Sequence, residues 1–592
     1  MKKKEKSIGK QSFVKGAMIL TISMALGKVL GALFKIPLGR LIGGVGMGYY
    51  GTAYELYSPL YALATAGFPI AISKLVSENM VKGRFRDVRK THRISIPLFL
   101  LTGTTAFLIM ILAIPFYTTN IIKTPESKYT MYALAPTIIF ACLMSIYRGY
   151  YEGLRDMMPT AISEFIESLI KFVLGLSLAY GIVMYGINQF HSTGIVFGKE
   201  CDTEEKALLA IAPFAAAGAI LAIPIGAVLG FIYLVIRFRM KGDGITKKQL
   251  KEAPKSISYK RTLKKIASIA LPVGLGAVIM NLATFIDVTL IQDRIANIMK
   301  SPHNAQILIS EYGNLIDENI RNGSEGDRTH TYLYGCFSFA STIMMLIPAV
   351  TQAFGISALP SVTAAWASGS KRILKKNIEV VLKLTTLITI PAGLGMVALS
   401  YPIMNLIYGG GKTGSEVIIS ASVLVLLGVG GIFASTSTPI CSMLQAVGRV
   451  DLPVKLLSIG VIMKIFLNYV LVGIPQINIQ GAGAGTIFCY GFVTVASLYY
   501  LSKETKIKFN LVSVLIKPLL AGTFCAVSAY VSYGLLVHIV KDKVATLIAI
   551  IIAVFVYVIA LFLLRALTAD DVKMMPKGEK FVKTLEKLRL IR

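Results

Sequence analysis

Residues 207–236 read ALLAIAPFAAAGAILAIPIGAVLGFIYLVI, thirty positions without one charged side chain. A bilayer core is crossed by about 20 apolar residues in helical form, so this stretch is long enough to span one. Its flanks differ in sign. Glu200, Asp202, Glu204 and Glu205 precede it; Arg237, Arg239 and Lys241 follow it. The positive-inside rule then places its C-terminal end in the cytoplasm.

The same pattern repeats along the chain. Fourteen apolar runs lie near 14–42, 50–78, 95–117, 129–151, 160–188, 207–236, 263–291, 332–366, 377–407, 415–445, 453–474, 481–502, 510–537 and 544–566. The connections alternate in charge. Lys82 to Arg93 is basic, Arg237 to Lys265 holds eleven Lys and Arg, and Lys371, Arg372, Lys375 and Lys376 follow the eighth run. Lys503, Lys506 and Lys508 follow the twelfth, and both termini are basic. The connection 292–330 holds Asp317, Glu318 and Asp327, and its Asn, Gly and Ser content reads as flexible. The expectation is an all-α polytopic membrane protein with fourteen transmembrane helices and both termini cytoplasmic.

Composition agrees. Of 592 residues 55% are hydrophobic and 16% charged, below the roughly 25% charged residues of soluble domains. The formal net charge is +30, from 61 Lys and Arg against 31 Asp and Glu. Much of that excess lies in the loops and tails that set orientation. An ordinary soluble enzyme, a secreted disulfide scaffold and a disordered chain are excluded. Six scattered cysteines form no CxxC pair, and no HExxH or clustered ligand spacing marks a metal site. The basic segment Met1 to Lys15 leads into the first run without a persuasive cleavage site, so that run reads as a permanent span.

Two halves are discernible. Pro69 to Glu78 followed by Gly83 matches Gly355 to Val362 followed by Gly369, and Gly153 to Pro159 matches Gly448 to Pro453. The offset is about 290 residues in each case. Paired bundles of this kind are a transporter pattern, with the substrate site at the repeat interface. The expected organisation is a first lobe over 1–236 and a basic linker over 237–262. A second lobe over 263–502, two further spans within 503–566 and a basic amphipathic tail over 567–592 complete it. Two motifs are decoys. Gly46-Met-Gly48-Tyr-Tyr-Gly51 fits GxGxxG but follows no strand, and Gly409 to Thr413 lacks the first Walker glycine, Leu406 standing there.

Ionisable residues within apolar runs cost several kcal/mol unless they meet water or a partner, so they are the site candidates. Lys28 lies about fourteen residues into the first run, roughly 20 Å deep, and Lys35 and Arg40 follow. Glu55 opens the second run. Arg148 ends the fourth, and Glu164, Glu167 and Lys171 recur on one face of the fifth. The second half offers Asp287, Gln352, Lys464 and Asn468. Blander readings stand beside these. Arg40 and Arg148 are equally readable as snorkelling to headgroups. Glu164, Glu167 and Lys171 could neutralise one another, and Glu55 and Asp287 could be counter-ions for Lys28 and Lys35. A cavity with surplus Lys and Arg suits a phosphate or pyrophosphate.

Several stretches resemble one family. They are Gly27-Lys-Val-Leu-Gly31, Ile36-Pro-Leu-Gly-Arg-Leu-Ile-Gly43, Ala53-Tyr-Glu-Leu-Tyr57, Ala64 to Glu78, Tyr147-Arg-Gly-Tyr-Tyr-Glu-Gly153 and Met158 to Glu164. Together they look like the SpoVB/YtgP branch of polysaccharide flippases. The resemblance implies the MOP exporter fold shared with MATE antiporters and MurJ lipid II flippases: two six-helix lobes around a central cavity, then two further helices. It implies that cavity cations hold a lipid-linked pyrophosphate, with Lys28, Lys35 and Arg148 at basic positions of the family. Lys at position 28, where relatives often carry Arg, keeps charge without the bidentate fork.

The resulting expectation is a flippase of the bacterial cytoplasmic membrane for an undecaprenyl-pyrophosphate-linked saccharide, lipid II or a related wall or spore-cortex precursor. Lys28, Lys35, Arg148, Lys171 and Lys464 would meet the headgroup. Glu55, Glu164, Glu167 and Asp287 would be coupling groups or counter-ions, and Gln352 and Asn468 polar lining. No catalytic residue, cofactor, metal, nucleotide or nucleic acid is expected. A coupling ion, Na+ or H+, and the membrane potential are the energy sources considered. The partners expected are the lipid-linked substrate and membrane lipids, with a monomer working near cell-wall synthases. The alternatives are a MATE-like antiporter and a membrane-embedded glycosyltransferase or polymerase.

Overall fold

The structure, a computed structural model, describes residues 13–65, 67–321, 327–410 and 413–566. The basic N-terminal residues 1–12, Lys412 and the amphipathic tail over 567–592 lie outside the described residues.

Helices α1 (Phe13–Thr65), α2 (Phe68–Val81), α3 (Phe85–Phe116), α4 (Ser127–Leu134), α5 (Thr137–Gly153), α6 (Met158–Thr193) and α7 (Glu204–Lys241) follow one another, with a two-stranded hairpin between α6 and α7. Next come α8 (Lys247–Glu252), α9 (Tyr259–Lys300), α10 (Pro302–Tyr312), α11 (Glu318–Arg321), α12 (Thr329–Met344) and α13 (Leu346–Ala367). The series ends with α14 (Lys371–Ala398), α15 (Ser400–Tyr408), α16 (Gly414–Ala446), α17 (Asp451–Leu471), α18 (Gln480–Thr505), α19 (Lys517–Leu536) and α20 (Asp542–Leu563).

Among the described residues, twelve stretches are long and apolar enough to cross a membrane. The difference from fourteen runs has two sources. The first two runs fall in one continuous stretch, Leu26–Val81. As a single straight helix α1 would reach about 80 Å, well over a bilayer core of about 30 Å. It bends instead at Gly43, whose φ of 65° and ψ of −173° leave the helical region. The seventh run lies on α9, which is not among the twelve. Most helices overrun their apolar cores. α3 starts at Phe85 and α14 at Lys371, so basic residues read as loop form their first turns.

The chain packs as two units, 1–296 with 317–335, and 297–316 with 336–592. In the first, α6 lies along α7, which buries Ala212, Ala215, Ala216, Ala219 and Ala222 and whose Gly218 lies against Ile182 of α6. Small residues let helix backbones approach closely in lipid. Gly48 is required by such an approach. A Cβ there would collide with the carbonyl oxygen of Thr331, so the start of α12 rests directly on α1.

The connections at 189–206 and 292–330 carry secondary structure over most of their described residues. The 189–206 segment is the end of α6, the antiparallel pair Ile195–Val196 with Lys199–Glu200, and the start of α7. Between 292 and 330, α9 continues to Lys300 and α10 follows with Pro302 in its first turn. Leu308 and Tyr312 are buried there, and the Tyr312 hydroxyl donates to Asn478 Oδ1. Buried apolar residues at helical spacing outweigh the Asn and Ser content among the described residues.

The basic linker is tied down as well. Asp243 accepts from Arg89 at 2.6 and 2.9 Å and from the Tyr150 hydroxyl at 3.0 Å. Arg86 donates to the carbonyls of Leu250 and Lys251, and Asp87 accepts from the Ile257 amide at 2.8 Å. Thr246 and Gln249 form a capping box at the start of α8.

Candidate functional site in the first unit

The second half of α1 carries Tyr50, Tyr54, Tyr57 and Tyr61. This i, i+4, i+7, i+11 spacing lines one face of a helix. Successive ring centroids are 5.1, 6.2 and 5.1 Å apart, and Phe34 from the first half of α1 adds a ring 6.1 Å from Tyr50. Phe34 and Tyr50 are buried, while Tyr54 and Tyr61 keep partial exposure.

The charged face of α6 meets this row. Lys171 Nζ donates to the Tyr54 hydroxyl at 2.8 Å and lies 5.3 Å from the Phe34 ring centre and 5.0 Å from that of Tyr54. Both rings thus offer cation–π contact. Lys35, one residue after Phe34, lies within electrostatic reach of Lys171 and of Glu55. Lys28 is exposed two turns before Lys35 on α1, beside Gly27, where an added Cβ would come within 3.1 Å of Ser168 on α6.

One turn from Lys171, Glu167 accepts from Arg148 Nη2 at 2.6 Å, and Arg148 Nε donates to Ser163 Oγ at 2.9 Å. Two glycines of α7 make room. A Cβ on Gly226 would lie 3.2 Å from the Glu167 carbonyl oxygen, and one on Gly230 3.5 Å from the Glu167 carboxylate. Glu164, on the same face, is within electrostatic reach of Arg148. On this face Glu167 pairs with Arg148 of α5, and Lys171 donates to the Tyr54 phenol.

A second polar group lies farther along the unit. Asp287 on α9 is buried, and both it and Glu55 lie within electrostatic reach of Tyr334. Gln292 is buried against Thr52, donating to its hydroxyl at 3.1 Å, and Ser58 donates to Asn281 Oδ1. Tyr117 and Thr289 share a hydrogen bond of 3.0 Å.

The structure therefore gathers Lys35, Lys171, Glu55, Arg148, Glu164 and Glu167, with Lys28 close by on the same helix and Asp287 near Glu55. The other three candidates sit in the second unit. Lys464 and Asn468 are one turn apart on α17, both against Gly485 of α18, with Asn468 fully buried. Gln352 is half-buried on α13. The tyrosine row, Gln292 and Asn281 were not among the expected site residues. The helical spacing of the four tyrosines was the available signal; for Gln292 and Asn281 there was none, because their partners lie over 220 residues away.

Comparison with known proteins agrees in sequence and in fold. Residues 13–195 match the family model described as polysaccharide biosynthesis protein, and residues 335–563 match that of lipid II flippase MurJ. The chain is 24% identical to the lipid II flippase MurJ of Bacillus subtilis (strain 168) over 496 residues, covering 82% of this chain and 81% of that protein. It is 22% identical to stage V sporulation protein B of the same organism over 579 residues, 96% of this chain and 98% of the relative. Among solved structures, an inward-facing multidrug resistance MATE family transporter of the MOP superfamily superposes with a TM-score of 0.56 at 15% identity, covering 83% of this chain and 99% of its own. An inward closed lipid II flippase MurJ gives 0.55 at 17% identity, covering 92% and 98%. In sequence the chain resembles the polysaccharide biosynthesis proteins over its first part and the MurJ lipid II flippases over its second, in fold it resembles the solved MATE and MurJ structures, and it is a multi-pass protein of the bacterial cytoplasmic membrane.

Proposed function

We propose that the protein is a flippase that carries an undecaprenyl-pyrophosphate-linked saccharide, lipid II or a related wall or spore-cortex precursor, across the membrane by alternating access. The observation that supports this most is Lys171 with Lys35 on apolar helices. They supply cationic charge at a depth where charge is expensive unless it serves an anion or a cavity. The name of one relative, lipid II flippase MurJ, points to the same class of cargo.

The headgroup contacts are drawn from Lys28, Lys35, Arg148, Lys171 and Lys464, with Gln352 and Asn468 as polar lining. Fourteen spans with both termini inside, arranged as lobes over 1–236 and 263–502 with two further spans, complete the reading. An inside-negative potential favours anion export by roughly 2.3 kcal/mol per charge per 100 mV. Glu55 and Asp287 are the groups suited to couple Na+ or H+ to it. The chain works as a transporter without a catalytic residue or cofactor, as a monomer near the cell-wall synthases that use its cargo. A MATE-like exporter of organic cations fits less well, because a cationic drug would meet lysines. The test is reconstitution. Proteoliposomes with dye-labelled lipid II in the membrane should make the inner-leaflet dye accessible to an outside quencher, and protein-free vesicles should not. Glycosidic bond formation by the purified protein would replace the reading with an enzymatic one.

A further inference from the structure

The first unit buries a histidine that the proposed function does not use. His330 lies in the first turn of α12 and is enclosed together with Ile122, Thr124 and Thr331. Its Nε2 is 2.9 Å from the Ile122 carbonyl oxygen and 2.8 Å from Thr124 Oγ1, which is itself 3.1 Å from Thr331 Oγ1. These bonds join α12 to residues 122–126, the connection between α3 and α4. An ion pair of 2.9 Å between Arg328 and Glu126 joins the same two segments. With both termini inside, both segments face the outside of the cell.

The geometry fixes the tautomer. A carbonyl oxygen only accepts, so Nε2 carries the hydrogen and Nδ1 carries the lone pair. Nδ1 is buried and has no hydrogen-bond partner among the described residues. The docked turn thus holds a neutral imidazole with one basic nitrogen unused. A proton on Nδ1 would create a buried N–H without an acceptor and a cation in an enclosed place. The charges around the ring are Lys123, paired with Asp293 of α9 at 2.8 Å, and Asp327, whose Oδ1 accepts from the Thr329 amide at 2.9 Å. The Arg328–Glu126 pair adds no net charge, and Tyr49 of α1 and Lys199 of the hairpin lie within electrostatic reach of Arg328. Histidine ordinarily changes charge between about pH 5 and 8, a range that the outer face of a cell meets.

We propose that His330 Nδ1 is a proton-binding site of the outer face, and that its protonation releases the first turn of α12 from residues 122–126. The proton comes from outside water and bonds to the Nδ1 lone pair; only the hydrogen bonds of the docked turn are given up. The outward placement rests on the flippase reading, whereas the proton site does not. Within that reading His330 lets outside protons act on the carrier at a place separate from Glu55 and Asp287.

The test is hydrogen exchange of the full-length protein in detergent at about pH 7.5 and about pH 5, with each variant compared with wild type at the same pH so that the intrinsic pH effect cancels. After that correction wild-type segments 122–131 and 327–335 should exchange at least about fivefold faster at the lower pH. His330→Gln, whose amide still donates to Ile122 but takes no proton, should be equally protected at both. His191→Gln, at an exposed histidine of α6, should behave as wild type. Asp327→Asn keeps an acceptor for the Thr329 amide and removes a charge that favours the imidazolium, so its opening should need a pH lower by about half a unit. Wild-type segments that do not respond to pH, or a response that survives in His330→Gln, would overturn the proposal. Should His330→Gln not fold, Asp327→Asn decides, and an unmoved midpoint overturns it. Lipid II movement in proteoliposomes is scored separately: its absence with wild type defeats the flippase reading and leaves the exchange result to decide the proton site.

Discussion

Arg148 and Glu167 form a 2.6 Å ion pair between α5 and α6, with Ser163 and two glycines of α7 shaping the space around it. The pair is mostly enclosed, so removing one partner leaves the other charge short of its acceptor or donor. Glu167→Ala should lower stability by about 1.5–3 kcal/mol, the usual worth of a hydrogen bond to a charged group. The double variant with Arg148→Ala should be less damaged than the sum of the two. Thermal unfolding in detergent measures both; additive losses would show that the pair is not energetically linked.

Glycine at position 48 is required by the Thr331 carbonyl, whereas at position 31 no atom lies within 4 Å of an added Cβ. Gly48→Ala should therefore reduce folded yield strongly. Gly31→Ala should be neutral or stabilising by up to about 1 kcal/mol, because Ala is the better helix former. Size-exclusion profiles at matched expression separate the two outcomes.

The linker makes a pH-dependent prediction. Burial alone would raise the Asp243 carboxyl, but the Arg89 guanidinium, the Ile245 amide and the Tyr150 hydroxyl outweigh it and hold it below the ordinary aspartate value of 3.8. A carboxyl lowered on folding contributes stability above its unfolded value and loses it as the pH falls through the folded one. Wild-type residues 242–258 should thus stay protected at neutral pH and open only below about pH 3.8. Asp243→Asn should open the segment already at pH 7, seen as faster tryptic cleavage at exposed Lys247 and Lys248. Equal cleavage of both proteins would mean that Asp243 does not hold the strap.

How far the sequence could be read depends on the range of the interaction. The apolar runs survive as helices because a span is a local property of about 20 residues. The face bearing Glu164, Glu167 and Lys171 was legible for the same reason, its order set by helical spacing. What Lys171 touches was not legible, because Tyr54 lies 117 residues away. The bend at Gly43 was hidden in an unbroken apolar pattern. The docking of the linker was hidden too, since Arg86 reaches backbone carbonyls that carry no side-chain signature. Helical order between 292 and 321 was masked by polar composition that buried Leu308 and Tyr312 override.

If this chain moves a lipid-linked saccharide outward, it should restore that step to a cell that lacks it. The direct measurement is made in a host depleted of its own lipid II flippase and expressing this protein, with externally exposed lipid II labelled at the cell surface. Surface labelling should be restored with wild type and strongly reduced by Lys171→Ala at equal protein level. Surface labelling no higher than in the depleted host, with the protein present in the membrane, would contradict lipid II as the cargo. Full labelling with Lys171→Ala would contradict the site.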